Sequence, residues 1–265
     1  MATSLECNKT KIARRVIEVL EFFAVENRRA TVMDIVRRYG RPQSSTSELL
    51  GSLVEMGLLY KDPHSRSYAP TPRLAALGFA NQPEPIGSGR LFAYMDRLAQ
   101  SARCGVGLFG VVGTHAQIFR WSSGAEQPAG ELACGSSALL SSGVIGLLLL
   151  SSLGLSQASK VLWRLNAEME PESRFNLAAL NQQVSRFAQL GHAVGPSGFA
   201  DDSNVAAVLL PEEMGERRLV LGVMYRDGAA VDPDAMIATL QHGIAQCLAS
   251  CGEDVMAFAP NLVAV

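Results

Sequence analysis

The stretch RPQSSTSELLGSLVEMGLLYKDPHSRSY, residues 41–68, decides the fold. Arg41-Pro42 opens a helix, with proline expected at the first helical position, where its missing N–H costs nothing. Gly57 stops that helix just after Met56. Along it Leu49, Leu50, Leu53, Val54 and Met56 fall on one arc, with Thr46 pointing inward beside them. Ser44, Ser47, Glu48, Gly51 and Glu55 fall on the opposite face. Beyond the glycine, Leu58-Leu59-Tyr60 and Ser67-Tyr68-Ala69 flank the turn-rich Lys61-Asp62-Pro63-His64-Ser65-Arg66, which is a hairpin pattern.

Reading upstream, Thr31 caps a second helix with Asp34 in the box position three residues on, and Gly40 ends it. Ile12, Val16, Ile17, Val19, Leu20 and Phe23 repeat at helical spacing and form a first amphipathic helix. Two helices joined by a glycine-containing turn, supported by a third and followed by a hairpin, make a winged helix-turn-helix. Its last helix is then the reader of the major groove.

Charge agrees with that placement. Residues 1–80 hold 12 Lys/Arg against 8 Asp/Glu, and residues 81–265 hold 11 against 17, so a basic front module precedes an acidic body. With 48% apolar and 18% charged residues the chain has enough apolar material for a sizeable core, which excludes a disordered tail protein. Five cysteines at irregular spacing do not suggest a disulfide framework and fit a reducing cytoplasm. The longest apolar run, residues 144–150, is far short of the ~20 residues that span a bilayer, so no membrane partner is expected.

Downstream, Pro70 and Pro72 lead into a short linker helix at 73–79, and Pro83, Pro85, Gly87 and Gly89 mark a boundary. The remainder alternates: helices at 89–102, 143–152, 155–169, 172–190 and 232–250, and strands at 105–112, 117–122, 204–210 and 218–225. The expected class is α+β, an antiparallel sheet with flanking helices behind the N-terminal module. The domains are placed at 1–70, with a linker at 71–88, a second domain at 89–252 and a tail at 253–265.

On the third helix, Gln43, Ser44, Ser45, Ser47 and Glu48 face away from the core. Gln can pair with adenine, Ser is permissive, and Glu can accept from cytosine N4. The competing reading is that Ser44 and Ser45 cap the helix and that Glu48 is a solvated surface charge. Arg37, Arg38, Arg41, Lys61 and Arg66 around them suit phosphate, which carries affinity rather than sequence. The expected partner is double-stranded DNA.

The run 41–68 resembles the winged helix-turn-helix of IclR-type bacterial transcriptional regulators: proline, serine, two leucines, the acidic-x-Gly-Leu stop, the Asp-Pro turn and the Arg-x-Tyr strand stand in the family's order. Residues 142–150 resemble its small-residue loop and helix, Gly191-His192-Ala193-Val194 its Gly-aromatic-Ala-Val strand start, and 205–210 with 219–224 its paired strands. The resemblance implies a GAF-like domain that binds a small-molecule effector, dimers or dimers of dimers on palindromic operators, and control of a catabolic operon. The chain departs from the family pattern at Gln43, where lysine is usual, and at Glu48, where arginine is usual. It also lacks the lysine of the small-residue stretch, having Val144-Ile145-Gly146-Leu147, and it replaces an acidic residue with Ser197-Gly198-Phe199.

The expected effector is a small organic acid, with aromatic acids included. Ser141, Ser142 and the Gly143 amide lie at a helix N-terminus, where free N–H groups favour a carboxylate, and an ordinary N-cap is the competing reading. Phe119, Trp121, Val208 and Met224 are the expected apolar walls, although inward aromatics on a strand also serve simply as core. No nucleophile elbow, P-loop or metalloprotease string is present, and His64, His115, His192 and His242 stand apart. Neither a catalytic constellation nor a cofactor or metal is expected; His242, Cys247 and Cys251 make a weak ligand pattern and read as packing. Two alternatives remain open: a regulator whose effector pocket is degenerate, and an enzyme carrying a helical interaction module.

Overall fold

The computed structural model describes residues 4–25, 29–79, 82–126, 132–212 and 218–249. The expected tail at 253–265, and Cys251, lie outside them. The chain divides into two compact units, 1–81 and 82–265.

The first unit contains α1 (Ser4–Val25), α2 (Val32–Tyr39), α3 (Gln43–Glu55), the strands β1 (Leu59–Lys61) and β2 (Tyr68–Pro70), and α4 (Pro72–Phe79). The box at the start of α2 forms as expected. The Asp34 carboxylate accepts from the Thr31 N–H and hydroxyl, both at 2.8 Å. Gly40 closes α2 with φ 61°, a left-handed conformation that a side chain would strain. Pro42 sits one place earlier than expected: its extended ψ of 137° makes it the cap, and Gln43 is the first helical residue. Thr46, Leu50 and Leu53 are buried with Val19, Phe23, Ile35, Leu59 and Tyr68 in one core. Met56 departs from the expected arc, because as the C-cap it is 52% exposed.

The wing is short and fixed. β1 and β2 pair antiparallel from Leu59↔Pro70 to Lys61↔Tyr68, and Ala30 bridges to Tyr68 on the other side. The Asp62 carboxylate accepts from the His64 and Ser65 amides at 2.8 and 3.1 Å, an Asx turn that sets the tip. Those two bonds hold its carboxyl below the usual range. Behind the wing, Thr71 ties the start of α4 to the end of α3, its hydroxyl donating to the Gly57 carbonyl at 2.6 Å.

The second unit contains α5 (Arg90–Ala102), β3 (Gly105–Val112), β4 (His115–Ser122), β5 (Ser137–Leu139), α6 (Val144–Ser151), α7 (Leu155–Glu168), α8 (Leu177–Leu190), β6 (His192–Pro196), β7 (Ser203–Leu209), β8 (Val220–Arg226) and α9 (Pro233–Ala249). The six strands form one antiparallel sheet in the order β5-β4-β3-β8-β7-β6. It is two three-stranded meanders joined where β8 pairs with β3, with α6, α7 and α8 inserted between them in the chain. The fold class is therefore α+β, as expected.

Strand alternation sorts the core into two layers. Val106, Leu108, Ala206, Val208, Leu221, Val223 and Tyr225 pack with α5 and α9. Phe109, Ile118, Val205, Ala207, Val220 and Met224 pack with α6, α7 and α8. Several boundaries differ from the sequence expectation. β4 begins at His115, so its hairpin turns on Gly113-Thr114 alone. The helix expected at 172–190 begins at Leu177, where the Asn176 side chain accepts from the Ala179 amide, and a single 3₁₀ turn precedes it. β5 has no counterpart in the sequence reading. Residues 82–88, expected as linker, carry Ile86 into the α5/α9 layer.

Candidate nucleic-acid interface and small-molecule cavity

In the first unit, Gln43, Ser44, Ser47 and Glu48 are exposed on one face of α3 while Thr46, Leu50 and Leu53 are buried beneath. The face is held from behind by α1. Arg41 donates from Nη2 to both carboxylate oxygens of Glu18, at 2.8 and 3.1 Å. Arg15 donates to the Ser45 hydroxyl at 3.0 Å, and that hydroxyl reaches the Pro42 carbonyl at 3.2 Å.

These bonds revise two of the expected contacts. Ser45 is half-buried, and its hydroxyl is bonded within the chain to Arg15 and the Pro42 carbonyl, which ties α3 to α1. Arg41 is paired with Glu18, so its charge fixes the turn between α2 and α3 before it meets any phosphate. Arg37 and Arg38 in the last turn of α2, and Lys61 and Arg66 on the wing, are exposed cations as expected. Lys61 Nζ lies 5.5 Å from the Tyr68 ring centroid, a cation–π placement that steadies its stem. Arg29, 3.6 Å from Asp62, adds an exposed cation that the sequence reading passed over. Only the Asx turn at Asp62 could have pointed to it.

In the second unit, the expected effector residues do not converge. Trp121 and Met224 lie on the α6 side of the sheet, but Val208 packs in the α5/α9 layer. Phe119 is 44% exposed, its ring over Gly110 beside Leu219, which belongs to that same layer. The cause is a bulge: Leu108 pairs with Arg120 and Phe109 with Ile118, so the register skips Phe119 and breaks the alternation that would have put it with Trp121. Arg120 follows onto the α5 side, where its Nη2 meets both Asp96 oxygens at 3.2 Å.

Two aromatic rings pack between α6 and the sheet. Phe109 is wholly buried and folds over Gly107, where an added Cβ would come within 2.4 Å of its ring. Phe199 packs against it with ring centroids 5.3 Å apart. Gly143 lies backbone to backbone on the next loop, since a Cβ there would stand 2.5 Å from Ser197 and Gly198 backbone atoms. The Ser142 amide donates to the Leu139 carbonyl at 3.0 Å. Ser141, Ser142 and Gly143 do line a cavity of about 520 Å³, and it opens outward, between α6, α8 and β6. Arg186 of α8 and His192 of β6 line it with them.

No group of three His, Cys, Asp or Glu is placed to hold a metal among the described residues. His242 is exposed and bonded to Gln246, while Cys247 is buried among α5 and α9 residues, where burial pushes its thiol up from the usual range. No helix among the described residues is long and apolar enough to cross a membrane.

Residues 13–63 match the family model of the IclR helix-turn-helix domain. The chain has no significant sequence match among the curated proteins. Among solved structures it is similar to an IclR homolog from Microbacterium hydrocarbonoxydans complexed with 4-hydroxybenzoate, at 20% identity and TM-score 0.59, covering 90% of this chain and 99% of that one. It is also similar to an IclR-type transcriptional regulator from Alicyclobacillus acidocaldarius, at 19% identity and TM-score 0.56 over 91% and 97% of the two chains. The Thermotoga maritima IclR gives 15% identity and TM-score 0.55 over 90% and 96%. The chain thus matches the IclR helix-turn-helix domain at residues 13–63 and has, over nine-tenths of its length, the fold of the IclR-type transcriptional regulators.

Proposed function

We propose that this protein is a ligand-responsive transcriptional regulator rather than an enzyme. It binds a palindromic operator through the exposed face of α3 and controls a catabolic operon in response to a small organic acid. The observation that carries the reading is the two-sidedness of α3: a polar face of Gln43, Ser44, Ser47 and Glu48 stands free while its opposite side is locked into the core. An exposed Gln/Ser/Glu face can read base edges but cannot neutralise phosphate, so Arg37, Arg38, Lys61 and Arg66 supply the affinity. One such helix covers few base pairs, so a homodimer or a dimer of dimers in the cytoplasm, on half-sites at helical-turn spacing, completes the reading. The 4-hydroxybenzoate held by the Microbacterium homolog supports an aromatic acid as the signal.

The filled space around Phe109 and Phe199 favours a second reading, in which the pocket between α6 and the sheet is degenerate. Selection of bound sequences from a random DNA library, repeated with and without 4-hydroxybenzoate, tests both. Enrichment of a two-fold motif supports operator recognition, and an effector shifts its affinity by about 5- to 150-fold if coupling lies in the usual range. Absence of any enriched motif overturns the regulator reading.

A further inference from the structure

We propose that Arg186 holds the carboxylate of the acid ligand in the outward cavity between α6, α8 and β6. This rests on the reading that the second unit takes an organic acid. Three observations favour it over the inner space or the loop alone. Phe109 and Phe199 occupy the inner space. The Ser142 amide is already given to the Leu139 carbonyl. Gly143 is covered by the Ser197-Gly198 backbone. A side-chain cation would add the charge that these groups do not supply.

The outward cavity has one. Among its described lining residues Arg186 is the single Lys or Arg, and it is exposed on α8. His192 lines the cavity too, but its Nδ1 donates to the Leu190 carbonyl at 3.0 Å, which leaves only Nε2 of the ring for a ligand. On α8 the residues Leu180, Gln183, Phe187 and Leu190 recur at helical spacing along the cavity, so a single helix offers both an apolar wall and, at Arg186, a charge. Leu190 and Val194 remain 45% and 39% exposed at this cavity, apolar surface that the body of a small acid would cover. Asp234 lines the same space, which disfavours a second carboxylate and suits a monoacid.

Calorimetry on the full chain with benzoate, phenylacetate and butyrate, with benzamide and phthalate as comparisons, tests the assignment. At least one monoacid should bind the wild type at millimolar concentration or below, with benzamide and phthalate weaker when benzoate is the binder. Arg186→Gln should weaken the acid roughly ten- to hundredfold, Arg186→Lys should recover part of the loss, and Phe199→Leu should leave affinity within about twofold. Equal binding to wild type and Arg186→Gln overturns the site while leaving an acid effector in place. If none of the three acids binds the wild type, the effector reading itself fails and this inference falls with it.

Discussion

α3 and α6 are both helices of their units' centres, yet only three of the residues of α3 are buried and all eight of α6 are. A helix that must meet a partner keeps a polar face in water and is held from behind, as α3 is by Arg15 and by the Arg41–Glu18 pair. A helix packed on every side has little face to offer, so α6 contributes to the cavity only the loop at its start and the edges of Val144 and Leu147. Any contact in the second unit therefore has to be assembled from neighbouring elements. That is why the site proposed for it draws on α8.

Leu148→Ala should give the largest effect. The side chain is wholly buried in α6, and truncation costs about 2–5 kcal/mol. Both tryptophans, Trp121 and Trp163, lie in the second unit, so urea unfolding followed by their fluorescence reads that unit. Ser47→Ala on the exposed face of α3, followed by hydrogen exchange of the α3 amides, should stay within about 0.5 kcal/mol of wild type, and comparable costs for the two would break the contrast.

The glycine inside each of these two helices sharpens it with opposite signs. A Cβ at Gly146 would stand 2.3 Å from the Leu140 carbonyl oxygen, so Gly146→Ala should destabilise by about 1–3 kcal/mol. Gly51 has nothing within 4 Å of that position, and Gly51→Ala should stabilise α3 by up to about 1 kcal/mol. Hydrogen exchange of the α3 amides measures the second, and the same sign in both would contradict the packing described.

The smallest effect concerns pH and the first unit alone. The backbone N–H and hydroxyl of Thr31 hold the Asp34 carboxyl below the usual range, and the Asx turn does the same for Asp62. A depressed carboxyl stabilises above its unfolded value near 4 and loses that contribution as pH falls through its lower folded value. The α2 amides should therefore lose exchange protection on acidification below about pH 5. Asp34→Ala should cost about 1 kcal/mol at neutral pH and flatten the dependence. Unchanged protection in the variant at neutral pH would show that the box contributes nothing.

The same contrast explains what could be read from the residues. In the first unit, Thr31, Asp34, Gly40 and Gly57 are local signals, and a 3.6-residue period sorts inward from outward without knowing the neighbours. Pro42 was misplaced by one position because cap and first helical residue accept proline alike. Ser45 fell on the outer arc, but which outer residues are taken by α1 depends on Arg15, thirty residues away. In the second unit Phe119 and Trp121, two apart on a strand, should share a face, and one bulged residue undid that. Val208 failed for a different reason, since both faces of the sheet are covered and apolar alternation does not say which layer a strand residue joins. β5, only Ser137-Ala138-Leu139, is too short to show a period. Arg186 drew no notice because an exposed arginine on a helix looks like any solvated charge until the cavity beside it is known.

The central claim is that α3 reads bases while the cations around it hold phosphate. Binding of the wild type, Arg37→Ala and Glu48→Ala to a library of site variants, across a series of salt concentrations, separates the two roles. Arg37→Ala should weaken every sequence alike and reduce the salt slope by about 1, and Glu48→Ala should keep the slope and change the preferred base at one position of each half-site, with about 1–3 kcal/mol of discrimination at stake. If both variants retain the wild-type preference and slope, the exposed face of α3 is not the reading surface.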